Sequence, residues 1–452
     1  MSEALTVDSI RPCLEGSVPA MVATCAPDGT PNVTYASEVH YVDQRHVALS
    51  FQFFNKTREN ILAHPYATVL VAHPDTAAQY LLRLRYLRTE QSGPLFESMK
   101  AKLAGIASHT GMAGVFKLRG ADVYEVRSIE RVPGAELPAR PRRCSPLAAL
   151  RGVMQTMAAQ TELAALLDAT LAALQTHFGI DHAMVLLLDA RRDRLFTVAS
   201  RGYADSGIGS EIPVGQGVIG VAAQHNVPIR IMHMTSDIAY SRAARSAAMS
   251  GGLADQIETE IPLPGLPESR SQLAVPIVLN AAVAGVLYVE SPEDSRFGYD
   301  DEDALVAVAT QLGAAIALLQ QTHASAEAEE VAARTDAAAG AAPVGEPVVV
   351  RRYRVNDSVF IGDDYLIKGV AGSIFWKLMR DFTGSGRTDF SNRELRVDPS
   401  IRLPDIADNL EARLILLQRR LAERCDFLRI EKTGRGRFRL KVGRPLKLIE
   451  VT

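Results

Sequence analysis

Along residues 1–132 apolar positions come in short runs separated by turn-forming pairs, the rhythm of a strand-rich domain. Residues 18–25 read as a strand, Pro27-Asp28-Gly29-Thr30-Pro31 as a tight turn, and 32–40 as a second strand. Asp43-Gln44-Arg45 turns the chain into an apolar, aromatic strand that ends at Ser50 and Phe51. A polar stretch, Asn55-Lys56-Thr57-Arg58-Glu59-Asn60, then opens a short amphipathic helix. Pro65 stops it, because proline cannot donate the next hydrogen bond and its ring clashes with the preceding turn. Further strands are predicted over 66–72 and 80–86, the latter with Arg83 and Arg85 on one face, and a helix over 94–103. Residues 106–112 are polar and glycine-bearing, a loop carrying His109, before a closing strand at 115–126 with a bulge at Arg119-Gly120.

The period changes after a proline- and arginine-rich linker at 133–146. Residues 147–178 give two helical segments. The second places Leu163, Leu167, Thr170, Leu174 and Phe178 on one face, and Gly179 ends it. Apolar strands at 183–188 and 195–200 flank Arg191-Arg192-Asp193. A glycine-rich helix start, Gly215-Gln216-Gly217-Val218-Ile219-Gly220, precedes strands at 227–231, 273–278 and 284–289. Asp300 to Asp303 lead into a long apolar helix ending near Gln321. Residues 322–350 are alanine- and glutamate-rich, then glycine- and proline-containing: a helical extension followed by a flexible linker.

The last segment, 351–452, opens with short alternating stretches and a helix over 370–381 that carries Trp376. Ser391 with Glu394 three residues on is a capping-box signature for a short helix. Over 408–424, Leu410, Leu414, Leu417 and Leu421 form an apolar stripe flanked by Arg413, Arg420 and Arg424. A basic glycine hairpin follows, with Arg435 and Arg437 near its tip.

Composition adds an asymmetry. The whole chain of 452 residues carries a net charge of −3, but 351–452 holds 22 Lys and Arg against 14 Asp and Glu. A basic module on an acidic body suggests a polyanionic partner for the module alone. Cys13, Cys25, Cys144 and Cys425 lack metal or disulfide spacing, which fits a reducing cytoplasm. No signal-peptide order is read, nor an uncharged apolar run long enough to cross a bilayer. The expectation is a cytoplasmic protein of about three domains.

A helix start exposes backbone N–H groups and a partial positive charge, and Lys56 adds a full one, so the Asn55-Lys56-Thr57 turn suits a phosphate. The same residues also suit an ordinary capped helix beside a solvated lysine. In its context of strands, Asp-Gly turn and following helix, the turn resembles the pyridoxamine 5′-phosphate oxidase-like split barrels. That resemblance implies FMN at a dimer interface. Its phosphate would sit on Asn55, Lys56 and Thr57, with Ser50 and Phe51 beside the cofactor and Tyr35 to Ser37 near the isoalloxazine. Residues 147–321 resemble a GAF domain, which implies a small-molecule pocket between the sheet and its covering helices. With no cysteine in that stretch, a thioether-linked bilin or cysteine-held cluster is excluded; His225 and His233 are the only haem-ligand candidates singled out. The last segment resembles the winged helix of response-regulator transcription factors. By that resemblance Arg413, Arg420 and Arg424 would meet DNA, with Arg435 and Arg437 in the wing; a module that binds protein, or a solvated basic surface, is the other reading of the same residues.

The expected architecture is therefore multidomain: a split β-barrel (1–132), linker (133–146), α/β GAF domain (147–321), linker (322–350) and α+β winged helix (351–452). The expected function is a homodimeric sensor of redox state or a small ligand that acts on DNA. An FMN-dependent oxidoreductase with regulatory domains is the alternative, and a cofactor-free dimerising barrel a third reading. No acid–base pair or metal-ligand cluster stands out in the sequence, so no catalytic residue or metal site is assigned.

Overall fold

The computed structural model describes residues 5–14, 18–36, 39–51, 56–109, 118–139, 141, 143–189, 191, 193–231, 261–329, 345–401, 410–434 and 436–451. The N-terminal part builds one antiparallel sheet, in the order β2-β1-β5-β6-β7-β4-β3. Its strands are β1 (Ala20–Cys25), β2 (Pro31–Ala36), β3 (Val39–Asp43), β4 (His46–Phe51), β5 (Tyr66–Ala72), β6 (Gln79–Glu90) and β7 (Gly120–Val132). The period-two pattern explains its core: Ala67, Val69 and Val71 of β5 point inward beside Leu82, Leu84 and Tyr124, while the alternate residues face outward. Among the described residues its α-helices are α1 (Lys56–Ala63) and α2 (Pro94–His109).

Three expectations change here. The predicted strand over 32–40 is two strands, β2 and β3, on opposite edges of the sheet. Helix α2 runs through His109 where a loop was predicted, since Ala104, Ile106 and Ala107 sustain a helix as readily as they leave one. The closing strand starts at Gly120 and extends to Val132, with register shifts on its partner β6 at Arg83/Leu84 and Tyr86/Arg88. They allow a long paired strand to bend.

The central domain is a six-stranded antiparallel sheet, β10-β9-β8-β13-β12-β11. Strands β8 (His182–Asp189), β9 (Arg194–Arg201), β12 (Ser271–Leu279) and β13 (Ala282–Ser291) form its body; β10 (Glu211–Pro213) and β11 (Ile229–Ile231) are its edges. One face packs on α3 (Pro146–Ala158), α4 (Leu163–Phe178) and α6 (Tyr299–Glu329), the other on α5 (Gly217–His225). Gly179 ends α4 in the left-handed conformation, φ 62°. The stretch Tyr299–Gln321 is long and apolar enough to cross a membrane by length and composition, contrary to the reading of the sequence. In the fold its apolar stripe, Leu305, Val308, Ala309, Leu312 and Ile316, is buried in the domain core.

Among the described residues, the C-terminal region pairs two small sheets with three helices. Strands β14 (Val348–Tyr353), β15 (Ser358–Ile361), β16 (Asp364–Ile367) and β20 (Leu446–Val451) form one sheet, with β20 parallel to β14. Strands β17 (Asp389–Ser391), β18 (Leu428–Gly434) and β19 (Arg437–Val442) form the other. The helices are α7 (Gly369–Ser385), α8 (Asn392–Val397) and α9 (Leu410–Arg424). The capping box at α8 is present: Glu394 N–H donates to Ser391 Oγ at 3.3 Å, and Ser391 N–H to Glu394 Oε2 at 3.2 Å. Strand β20, overlooked in the sequence, closes the first sheet.

Candidate functional site

Helix α1 is positioned by polar side chains arriving from neighbouring strands. Asn32 of β2 donates to Thr57 Oγ1 at 2.9 Å, and Asn60, fully buried, donates to Thr24 Oγ1 of β1 at 3.1 Å. Thr57 Oγ1 thus accepts from Asn32, and its own hydrogen can serve another acceptor. Lys56, the first residue of α1, keeps a half-exposed ammonium 3.4 Å from Glu59. Asp28 of the Asp-Gly turn lies close enough to feel the Lys56 charge. Its carboxyl is held below the usual range chiefly by the Thr30 N–H, which donates to it at 2.9 Å.

Arg58, which the sequence did not single out, has another role. Its guanidinium reaches Asp122 of β7 at 2.5 and 2.6 Å and Thr89 of β6 at 3.1 Å, and Thr89 also bonds Tyr86 at 2.7 Å. This largely buried network ties α1 to the strands beneath it. The cationic start of α1 therefore consists of Lys56 and the Thr57 hydroxyl at the positive end of the helix, while Arg58 is spent on the protein itself. Ser50 and Phe51 end β4 opposite Ala121 and Gly120. Tyr35 is three-quarters exposed on edge strand β2, opposite Met21. Ser37 and Asn55 lie outside the described residues. Arg83 and Arg85 are exposed, and Arg83 donates to Thr68 at 3.0 Å.

On the α5 face of the central sheet, Met184, Leu186, Val218, Ile219, Ala222 and Ala274 pack together, and the cluster includes Ala101 of α2. The N-terminal domain thus covers this face of the central one. His225, at the end of α5, is half-buried; burial and then the nearby Lys100 of α2 push its pKa below the ordinary histidine value, against Glu97. His233 lies outside the described residues. Among the described residues no cluster of three or more His, Cys, Asp or Glu could hold a metal ion.

The arginines of α9 do not lie where the sequence reading placed them. Arg413 is buried, 2.6 Å from Asp189 at the end of β8, with its guanidinium 3.7 Å over the Phe196 ring. Arg420 is buried too, donating to Leu366 O at 3.1 Å and to Glu423 at 3.1 Å. Neither is open to an external phosphate in this arrangement: both are buried, and each charge is met by oxygen atoms inside the protein. Arg424 is exposed, Arg437 is half-buried on β19, and Arg435 lies outside the described residues. A cleft of about 520 Å³ opens beside α9, between residues 200–207, Ile261 and Pro262 of the central domain and Arg420, Glu423 and Arg424.

Comparison with known proteins agrees with two of the three parts. Residues 6–126 match the family described as pyridoxamine 5′-phosphate oxidase, and 162–316 match the GAF domain family. No curated protein matches the chain. Among solved structures, the GAF domain of an Acinetobacter phosphoenolpyruvate-protein phosphotransferase is 22% identical, covers 42% of this chain and 97% of its own, and has a TM-score of 0.30. Free methionine-R-sulfoxide reductase from Neisseria meningitidis, solved with its substrate, is 21% identical over 41% and 96%, with a TM-score of 0.31. An FMN-binding protein from Syntrophomonas wolfei is 14% identical over 28% and 86%, with a TM-score of 0.25. The chain therefore carries a pyridoxamine 5′-phosphate oxidase-like β-rich domain, a GAF domain, and a C-terminal α+β region of unassigned fold.

Proposed function

We propose that the chain is a cytoplasmic, homodimeric sensory regulator, in which the N-terminal domain holds FMN, the GAF domain takes a small ligand, and the C-terminal region is the output. The observation that carries this reading is the central position of the GAF domain. Its α5 face is covered by α2 of the first domain, and its β8–β9 edge is clasped by α9 of the last. Packed side chains at both faces give a change in the GAF domain a route to its neighbours.

The start of α1 fits the phosphate end of a flavin nucleotide: Lys56 brings a cation, Thr57 a hydroxyl hydrogen, and the helix its N-terminal N–H groups. Bound flavin would supply a redox centre. The residues of the chain orient that centre, with Asn32 and Asn60 fixing the first turns of α1 against β1 and β2. The visible spectrum of the purified protein tests this. Flavin bands are expected, and Lys56→Ala is expected to weaken FMN binding about tenfold, since one charge-assisted contact is worth about 1.5 kcal/mol. A colourless protein that cannot be reconstituted with FMN rejects the flavin reading.

For the output, a DNA partner is favoured by the charge balance of 351–452 and by its exposed basic residues, among them Arg424 at the end of α9, Arg429 on β18, Arg444 and Lys447. The sequence resemblance to a winged helix points the same way. Binding to duplex DNA should then fall steeply with salt as counterions are released.

A further inference from the structure

We infer that the GAF domain withholds α9 from DNA, so that the arrangement described here is an autoinhibited one. The inference rests on the DNA reading of the output given above. Helix α9 has two packed sides. The stripe of Leu410, Leu417 and Leu421 belongs to the core that α9 shares with its own region. The other side, at 413, 416, 419 and 423, is turned on the GAF domain, and Arg420 lies between the two, bonded to Leu366 of its own region. Leu416 and Arg420 lie so close to Gly209 that a side chain added there would meet both. Arg413 pairs with Asp189 at 2.6 Å. Arg419 donates to Val198 O at 2.7 Å and to Asp168 of α4 at 2.8 Å. Ser206 donates to Glu423 at 2.5 Å, and Lys432 of the hairpin pairs with Glu162.

Two features mark this as a releasable contact. An apolar cluster continues across the contact, but several of its bonds join charged or polar groups, which water can replace when the surfaces part. The peripheral pairs are also half exposed: Asp168 keeps 65% of its side-chain surface and Glu162 43%. The GAF-side groups that meet Lys432, Arg419 and Arg413 through their side chains, Glu162, Asp168 and Asp189, are acidic. They occupy the basic surface of α9 and the hairpin with a charge pattern that imitates a phosphate backbone. A DNA duplex and the GAF domain therefore compete for one surface, and whatever loosens the GAF side frees the helix.

The test uses the full chain with charge reversals confined to the GAF side, which leave every basic residue of α9 and the hairpin in place. Glu162→Lys combined with Asp168→Arg sets like charges against Lys432 and Arg419; Asp189→Arg does the same against Arg413. Each protein is assayed by small-angle scattering for its radius of gyration and by titration of a labelled random-sequence duplex at several salt concentrations. The expected result is an expanded envelope and at least a tenfold gain in DNA affinity, with a steep salt slope. If wild type already binds duplex as tightly as the expanded variants, the autoinhibition is overturned and the DNA reading stands. If the variants expand and none binds duplex, the DNA reading itself fails, and the inference with it. Envelopes that stay closed in both variants show that these pairs do not hold the contact, and also overturn the inference.

Discussion

Asp122 illustrates how a single carboxylate can decide what its neighbours are free to do. It takes Arg58 into a mostly buried ion pair and leaves Lys56, paired only at the surface with Glu59 at 3.4 Å, as the exposed cation at the start of α1. Removing one member of such a pair strands the other without compensation. Asp122→Ala is expected to cost the N-terminal domain about 3 kcal/mol, read as a lower urea midpoint, and Asp122→Asn less because one acceptor remains. A loss no larger than at an exposed site would show the pair to be dispensable. At the α2–α5 seam the titrating residue is His225, whose folded pKa lies below its unfolded one because of burial and the charge of Lys100. The unfolded form then binds the proton more readily, so the contribution of His225 is fully present above about pH 6.5 and is lost as pH falls through the lower folded value. Thermal stability should fall between pH 7.5 and 5.5 more in wild type than in His225→Gln. Parallel curves would remove His225 from the seam's pH response.

Among the elements, α6 and α9 show the limits of reading a pattern one helix at a time. The sequence of α6 passes for a membrane span, yet it packs on β12 so closely that a Cβ at Gly313 would lie 2.4 Å from the Val278 carbonyl oxygen. Gly313→Ala is accordingly expected to destabilise the GAF domain by about 1–3 kcal/mol, seen as a lowered melting temperature. An unchanged melt would mean that the helix can move off the sheet at little cost. In α9 the leucine stripe read from the sequence does lie in the core, but of the arginines beside it Arg413 and Arg420 are buried, Arg413 against Asp189, and only Arg424 is exposed. Period alone identified the helix and its apolar face. It could not tell a second buried face from a solvent-facing one, because arginine suits both when a carboxylate lies opposite. The Ser391–Glu394 cap, by contrast, was fully legible, since both of its hydrogen bonds are made within four residues.

At the scale of the molecule, one apolar cluster runs from α3, α4 and α6 of the GAF domain into the C-terminal region, and the N-terminal domain contributes Ala101 to the opposite face. Further contacts reinforce that seam: Arg11 bonds Asp303 at 2.8 Å, and the Tyr299 ring lies 4.4 Å from both the Arg11 and the Arg230 guanidinium carbons. The sequence by itself determined the local facts. These include the strand rhythm of the first part, the two matched family regions, the helix start at Lys56, and the basic surplus of the last segment. Each depends on residues close together in the chain, whose backbone preferences and side-chain period act over a few positions. Only the tertiary structure decided that Arg58 belongs to Asp122, that α2 covers the α5 face, and that Arg413 meets Asp189 across 224 residues. Those pairings depend on which surfaces meet, and a charge or an apolar stripe does not specify its distant partner until folding brings the two together.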